Sequence, residues 1–378
     1  MTNKPRSYVF LGLSITSAWG NGHATTYRGL LKELARLGHS VTFLERDVPW
    51  YAANREFCEL PYCTIHLYES LDDLESRFAH MVRSADAVVV GSYIPEGIAA
   101  GRWVQSTARG LKVFYDIDTP VTLSNIENGS CEYLSADLIP GYDLYFSFTG
   151  GPMLKLIERK LRSPRARALY CSVDPALYFP QVVSERWDLA YLGTYAADRQ
   201  PALQKLLLNV AQTQPEFSFA VAGPQYPGDI AWPENVERID HLPAAQHRAF
   251  YNAQHFTLNI TRRDMRRAGY SPSVRLFEAA ACGVPILTDT WPGISDFFEP
   301  GSEILPVSNA VEVARCLRMP LEQRRAIAQR ARARTLKHHT AAVRAEQFSR
   351  DVDVSFERLS RSNKRSTVVV TEPASALS

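Results

Sequence analysis

The sequence lacks any long apolar segment and any strong imbalance of charge. No window of about 18 uninterrupted apolar residues occurs, so no segment has the composition of a membrane-spanning helix. The 42 Lys and Arg residues are nearly balanced by 40 Asp and Glu residues, which gives a formal net charge of +2. This balance, together with the lack of zinc-finger spacing or an aromatic-and-basic platform, argues against a dedicated nucleic-acid-binding protein.

Cysteines are too few and too irregularly spaced for a disulfide framework. Six occur among 378 residues, which favours a reducing compartment. Cys58 and Cys63 have no second pair that would complete a zinc site. The apolar run 8–13 after Lys4 and Arg6 resembles a weak signal peptide, but it is short and is explained better as a first β-strand. We therefore predict a cytoplasmic protein.

Strand-like and helix-like segments alternate along most of the chain. Apolar runs at 7–13, 39–44 and 111–115 are separated by segments with helical spacing, and a second alternating series begins at about residue 187. Such alternation is typical of parallel sheets covered by helices on both faces. A chain of 378 residues is also long enough for two domains. We predict an α/β protein with two Rossmann-like domains whose parallel sheets face a central cleft.

The predicted boundaries follow from these changes of pattern. They are 1–172 for the N-terminal domain, 173–186 for a linker, 187–340 for the C-terminal domain, 341–360 for a helix that could pack back on the N-terminal domain, and 361–378 for a disordered tail rich in polar residues.

The most informative stretch is 269–289, which has the pattern of a loop, a short helix, a stop and a buried strand. Ser271 is a good N-cap, and Pro272 suits the first helical position. Gly283 fits the left-handed position that ends a helix. We therefore predict a helix over 271–282.

The polar residues of this helix suit a nucleotide diphosphate. The free backbone N–H groups of a helix N-terminus favour an anion, and Arg275, about one turn in, could bind phosphate oxygens through its guanidinium. Glu278 lies about one turn deeper, where its carboxylate could accept hydrogen bonds from two ribose hydroxyls. The alternative is a surface Arg–Glu pair worth a few tenths of a kcal/mol, and spacing alone does not separate the two.

The run Ser273-Val274-Arg275-Leu276-Phe277-Glu278-Ala279-Ala280-Ala281-Cys282-Gly283 resembles the donor-site helix of GT-B glycosyltransferases, and more narrowly that of the CgeB-like, spore-maturation-type enzymes. The resemblance covers about 7–350 and implies a GT-B architecture. It places Glu278 where the second Glu of the retaining Glu-x7-Glu signature binds the ribose. The first Glu of that signature would fall at position 270, where this chain has Tyr270, so the retaining or inverting outcome stays open.

Loops at the carboxyl ends of strands supply further candidates, because ligands bind there in open parallel sheets. After the first strand come Gly20, Gly22 and His23. The glycines let backbone approach a ligand closely, and the resemblance implies that this loop faces the donor. His23 is a candidate general base because its ordinary pKa is near neutrality. A helix-terminal histidine bonded to backbone is the alternative.

Two aspartates follow the strand at 111–115. Asp116 and Asp118 could share a divalent cation, but the resemblance implies a GT-B enzyme, and GT-B enzymes generally need no metal. We therefore predict no metal and no cofactor, and we predict Asp118 as a catalytic residue in the cleft.

In the second half, the resemblance implies that the loop with Gly193, Thr194 and Arg199 holds the donor diphosphate, together with Ser271 and Ser273. Arginines at 262–267 could contact phosphate or an acidic acceptor, and arginines on the C-terminal helices could dock weakly on an anionic membrane surface; a solvated surface is the alternative for both groups.

The residues and the resemblance together predict a glycosyltransferase. It would move a sugar from a nucleotide diphosphate sugar to an unidentified acceptor, either a glycan, a protein or a small molecule. A nucleotide-sugar epimerase, which needs no acceptor site, is one alternative. A non-catalytic nucleotide-sugar-binding protein is another, motivated by Tyr270 in place of a glutamate.

Overall fold

The computed structural model describes the backbone of residues 4–19 and 22–368, and the side chains through residue 360. Within these residues, two parallel β-sheets are formed one after the other along the chain. The first has seven strands in the order β3-β2-β1-β4-β5-β6-β7 and the second six in the order β10-β9-β8-β11-β12-β13. The strands are β1 (Ser7–Gly12), β2 (Ser40–Arg46), β3 (Thr64–Tyr68), β4 (Ala87–Gly91), β5 (Leu111–Asp116), β6 (Leu144–Ser147), β7 (Ala166–Ala168), β8 (Trp187–Leu192), β9 (Phe219–Ala222), β10 (Val236–Ile239), β11 (Gln254–Asn259), β12 (Ile286–Thr288) and β13 (Leu305–Pro306).

Helices connect the strands and cover the sheets. They are α1 (His23–Arg36), α2 (Pro49–Ala52), α3 (Leu71–Ser84), α4 (Gly97–Thr107), α5 (Thr119–Glu127), α6 (Pro152–Arg159), α7 (Gln200–Leu203), α8 (Asn209–Thr213), α9 (Ala244–Asn252), α10 (Arg263–Ala268), α11 (Val274–Ala281), α12 (Ala310–Leu317), α13 (Leu321–His338) and α14 (Ala341–Val368). Between α7 and α8 the chain forms one π-helical turn, Gln204–Leu208.

Burial on both faces explains why the central strands are continuous apolar runs. Every residue of β4 and β6 is buried, and separate apolar clusters lie on the two sides of the first sheet. Because neither face of this sheet is solvated, polar residues do not alternate with apolar residues along its central strands. The prediction of an α/β protein with two parallel-sheet domains is confirmed.

The last helix returns to the first sheet. Phe348 of α14 stacks on Phe146 of β6 with ring centroids 5.1 Å apart, and Asp351 accepts a 2.7 Å hydrogen bond from Arg165. The end of the chain thus completes the core of the N-terminal domain. The helix runs on to Val368, past the point where we predicted a disordered tail, and 369–378 lie outside the described residues.

The chain crosses between the domains twice, and the two crossings pair with each other. Val173 forms a parallel bridge with Thr340, and the Val173 N–H donates to the His339 carbonyl at 3.0 Å. The His339 ring is 5% exposed and stacks on Phe277 with ring centroids 4.5 Å apart. This histidine therefore links the crossing to the helix that carries Arg275.

We expect acid pH to lower the free energy of unfolding because of His339. Burial, helped by the nearby Arg344 cation, lowers the pKa of His339 to about 3, whereas in the unfolded chain it titrates near 6.5. The stabilising difference is complete above pH 6.5 and is lost as the pH falls towards 3. Between pH 7 and pH 5 we expect the free energy of unfolding to decrease by about 2 kcal/mol through this group.

Urea unfolding at pH 7 and pH 5 measures this effect. The variant His339→Gln should lose that part of the pH dependence, whereas His338→Gln, at the exposed neighbouring position, should keep it. An unchanged pH dependence in His339→Gln would contradict the assignment.

Candidate functional site

The loops at the carboxyl edges of the two sheets meet, and three contacts join them. Arg262 Nη1 of the C-terminal domain lies 3.5 Å from Asp118 Oδ2 of the N-terminal domain. The Thr149 hydroxyl donates to the Ser271 hydroxyl at 3.0 Å. The Gly150 N–H donates to the Tyr270 carbonyl at 2.9 Å. The candidate site is built around these contacts.

Three arginines converge on the C-terminal side of the cleft. Arg199 follows β8 and is 5% exposed. Burial lowers its pKa, and the positive charges of Arg275 and Arg262 add to the decrease, so the three cations repel one another. Within the described part of the chain, neither Arg199 nor Arg275 forms an ion pair with a carboxylate. Cations held together without counter-ions form a site for a polyanion.

The loop after β8 positions Arg199 through its own backbone. Arg199 Nη2 donates to the Thr194 carbonyl at 2.6 Å. Gly223 has φ +139° and lies so close to this loop that a Cβ there would come within 2.2 Å of the Gly193 carbonyl oxygen. The structure therefore brings Gly193, Thr194 and Arg199 together in one tightly packed loop.

The helix that carries Arg275 is shorter than predicted. α11 begins at Val274 with Ser273 as its N-cap residue, so the prediction of a helix from 271 with Ser271 as N-cap is wrong. The Ser271 side chain is fully buried and accepts the hydrogen bond from Thr149, so it contributes to the contact between the domains. Ser273 makes no side-chain capping bond.

Glu278 lies on the buried side of α11, where a tyrosine holds it. It is 6% exposed and accepts a 3.0 Å hydrogen bond from the Tyr251 hydroxyl, and its charge also acts on Tyr178 nearby. Burial and the Glu278 charge raise the pKa values of both tyrosines, which keeps them as donors. Because Glu278 makes no ion pair with Arg275 among the described contacts, the surface-pair interpretation is wrong.

The N-terminal wall of the cleft contains a linked set of side chains. The His23 ring lies edge-to-face on Tyr93 with centroids 5.3 Å apart, and the Tyr93 hydroxyl donates to Asp118 Oδ2 at 3.2 Å. Desolvation lowers the pKa of His23 to about 4, so this histidine is neutral at physiological pH. Burial raises the pKa of Asp118, and Arg262 opposes that shift. Gly22 is the N-cap residue of α1.

Gly20 lies outside the described residues, so the structure says nothing about its predicted role.

Asp116 and Asp118 point to different surroundings. Asp116 is fully buried and accepts hydrogen bonds of 2.6 Å from the hydroxyls of Thr122 and Tyr145. Burial raises its pKa to about 6. Asp116 therefore belongs to the polar interior of the N-terminal domain, and Asp118 faces the cleft.

Tyr93 is a member of the site that the sequence analysis missed. It has φ +65°, and Glu96 in the same loop has φ +53°. Left-handed conformations in residues other than glycine are strained by about 1–3 kcal/mol each and occur often at functional sites. Gly91 and Gly97 bound this loop, but no motif marks Tyr93 itself, so the backbone geometry reveals it.

Tyr270 is clamped between the two domains. A Cβ placed on Gly151 of the N-terminal domain or on Gly293 of the C-terminal domain would come within 2.4 Å or 2.3 Å of its ring. Its own φ is +48°, and its N–H donates to the Pro292 carbonyl at 2.7 Å. The tyrosine is thus a rigid part of the cleft floor.

Several arginines of α13 donate hydrogen bonds to backbone carbonyls of their own domain. Arg332 Nε donates to the Ala281 carbonyl at 3.1 Å, and Arg330 Nε to the Ser302 carbonyl at 2.9 Å. These side chains take part in domain packing. In the part of the chain that the structure describes, no helix combines the length and the apolar character needed to cross a membrane.

Comparison with known proteins supports the same fold. Residues 199–350 match the glycosyl transferase-like family, and no curated protein matches the chain. Sucrose-phosphate synthase from Thermosynechococcus elongatus is 13% identical with a TM-score of 0.67, covering 93% of this chain and 100% of its own. Anabaena HepE in complex with UDP-glucose is 13% identical with a TM-score of 0.69, covering 92% and 100%.

The structure is also similar to that of an α-glucosyltransferase in complex with UDP-glucose and DNA. It is 12% identical with a TM-score of 0.69 and covers 92% of this chain and 99% of its own. The GT-B architecture predicted from the sequence is confirmed. The chain has the GT-B fold, and its residues 199–350 are similar to the glycosyl transferase-like family.

Proposed function

We propose that the protein transfers a sugar from a nucleotide diphosphate sugar to an acceptor bound against the N-terminal domain. The observation that carries this proposal is the cluster of Arg199, Arg262 and Arg275, of which two have no carboxylate partner among the described residues. When the bond from the sugar to the diphosphate breaks, negative charge develops on the leaving group. Fixed cations stabilise that charge, so no metal is needed.

The remaining roles follow from position. Glu278 accepts hydrogen bonds from the ribose hydroxyls, held ready by Tyr251. The first-turn N–H groups of α11 add to the affinity for phosphate. Asp118 takes the proton of the acceptor hydroxyl as that oxygen attacks the sugar, and neutral His23 lies one side chain away.

UDP-sugars are the first donors to consider, because similar structures contain UDP-glucose. The run 273–283 supports a closer relation to the CgeB-like enzymes. The six cysteines are free thiols, in keeping with work in the cytoplasm.

A thermal-shift experiment in EDTA tests the donor site. UDP should raise the melting temperature because it binds only the folded state, by about 2.7 kcal/mol of stability at 100 times Kd. UMP, with one phosphate less, should give a much smaller shift. GDP, dTDP and ADP at equal concentration identify the base.

The variant Glu278→Gln should lose most of the UDP shift. The carboxylate of Glu has two acceptor oxygens for the ribose hydroxyls, whereas the amide of Gln has only one. Glu322→Gln, an exposed position on α13, is the matched control and should keep the shift. Equal shifts with UMP and UDP would contradict a diphosphate site.

A further inference from the structure

Exposed aromatic side chains of the described residues are confined to two neighbouring connections of the first sheet. The chain contains 6 Trp, 17 Tyr and 17 Phe residues. In the described structure only three of these are exposed, Trp19 by 54%, Trp50 by 52% and Phe57 by 43%. All three lie in the connections that follow β1 and β2: Trp19 in the loop before α1, Trp50 in the short helix α2, and Phe57 in the loop after α2. Large aromatic side chains that are exposed to solvent close together in the fold indicate a binding surface.

These two loops touch each other. β1 and β2 are parallel neighbours, so their carboxyl ends lie side by side. The Ala18 N–H donates to Glu56 Oε1 at 2.9 Å, and the Phe57 N–H donates to the Thr16 carbonyl at 3.2 Å. The loop with Trp19 also leads into α1, which begins with His23. The aromatic platform, defined as Trp19, Trp50 and Phe57, therefore borders the N-terminal wall of the cleft.

A buried carboxylate fixes the base of the platform. Glu45 of β2 is fully buried and accepts four hydrogen bonds of 2.6–3.0 Å, from the Ser14 hydroxyl, the Ile15 N–H, and the N–H and hydroxyl of Thr16. A surface held this firmly loses little freedom when a ligand binds.

The two arginines beside the platform are paired. Arg28 bonds to Glu56 at 2.8 Å and lies over the Phe57 ring, and Arg55 bonds to Asp47 at 2.8 Å. Because both cations already have carboxylate partners, the surface offers no net positive charge to a phosphate backbone. It offers instead apolar ring faces beside polar groups able to exchange hydrogen bonds.

We propose that the aromatic platform binds a neutral carbohydrate acceptor. The apolar C–H face of a sugar ring packs on an aromatic ring, and its hydroxyls bond to the polar groups around it. This inference rests on the proposed function, and it names the acceptor class as a neutral glycan.

Calorimetric titration of the full chain with maltotriose, cellotriose and tri-N-acetylchitotriose, in the presence of UDP, tests the platform. At least one trisaccharide should bind, and Trp19→Ala and Trp50→Ala should each weaken that binding about tenfold, as loss of an aromatic anchor does. Val311→Ala, at a 70% exposed position on α12, should leave it unchanged. UDP binding should be equal in all variants, which also reports that they are folded.

The outcomes separate the two proposals. If UDP does not bind the wild type, the donor site fails. If UDP binds but no trisaccharide does, or if the two tryptophan variants bind it as the wild type does, the platform proposal is overturned. Binding of a 13-base-pair DNA duplex in place of the sugars would also overturn it.

Discussion

Replacing Arg275 with methionine is expected to abolish donor binding without weakening the unliganded fold. Arg275 has no carboxylate partner in the described structure, and its charge lowers the pKa of Arg199, which means that the two cations repel each other. The variant Arg275→Met removes that repulsion and keeps most of the side-chain volume. Its melting temperature without ligand should be equal to or above that of the wild type, while the UDP shift disappears.

The same variant should lose at least about 100- to 1,000-fold in kcat/KM, the usual effect of removing one hydrogen-bond donor from a site where negative charge develops. UDP release from UDP-glucose in single-turnover conditions measures it. Arg267→Met, an exposed position on α10, is the control for loss of a cation near the cleft. A clear decrease in the melting temperature of unliganded Arg275→Met would show that Arg275 is a structural residue, and would remove the main support for the diphosphate site.

The candidate residues of the donor half could be proposed because they are local in sequence. Arg275 and Glu278 occupy successive turns of one helix, so their spacing makes them candidates for one ligand, and the resemblance of the run 273–283 favours a nucleotide over a surface ion pair. Arg199 was predicted from the resemblance to GT-B enzymes, in a loop that follows a strand, and carboxyl-end loops of a parallel sheet share one edge.

Contacts between distant segments could not be predicted in this way. Ser271 has the sequence pattern of an N-cap, but it bonds to Thr149, a residue 122 positions away, and the helix begins later as a result. Tyr93 joins the site through a strained backbone conformation, which the residue type does not predict. In both cases tertiary packing outweighs local preference.

Asp118 is the residue whose loss should reduce turnover most while sparing donor binding. The variant Asp118→Asn keeps the shape of the side chain and can still accept a hydrogen bond from Tyr93, but an amide cannot take a proton. Loss of a general base costs about 100- to 10,000-fold in rate. We expect kcat for transfer to decrease by that amount.

The Kd for UDP separates this role from a structural one. Asp118 lies 3.5 Å from Arg262, so the donor diphosphate and Asp118 compete for the same cation. Asp118→Asn releases Arg262, and UDP should therefore bind as tightly as in the wild type or tighter. Asp137→Asn, which disturbs an exposed ion pair with Arg102, should change neither quantity. Weaker UDP binding together with a normal kcat would mean that Asp118 only holds the domains together, because a catalytic base acts after the donor is bound and contributes to the rate alone.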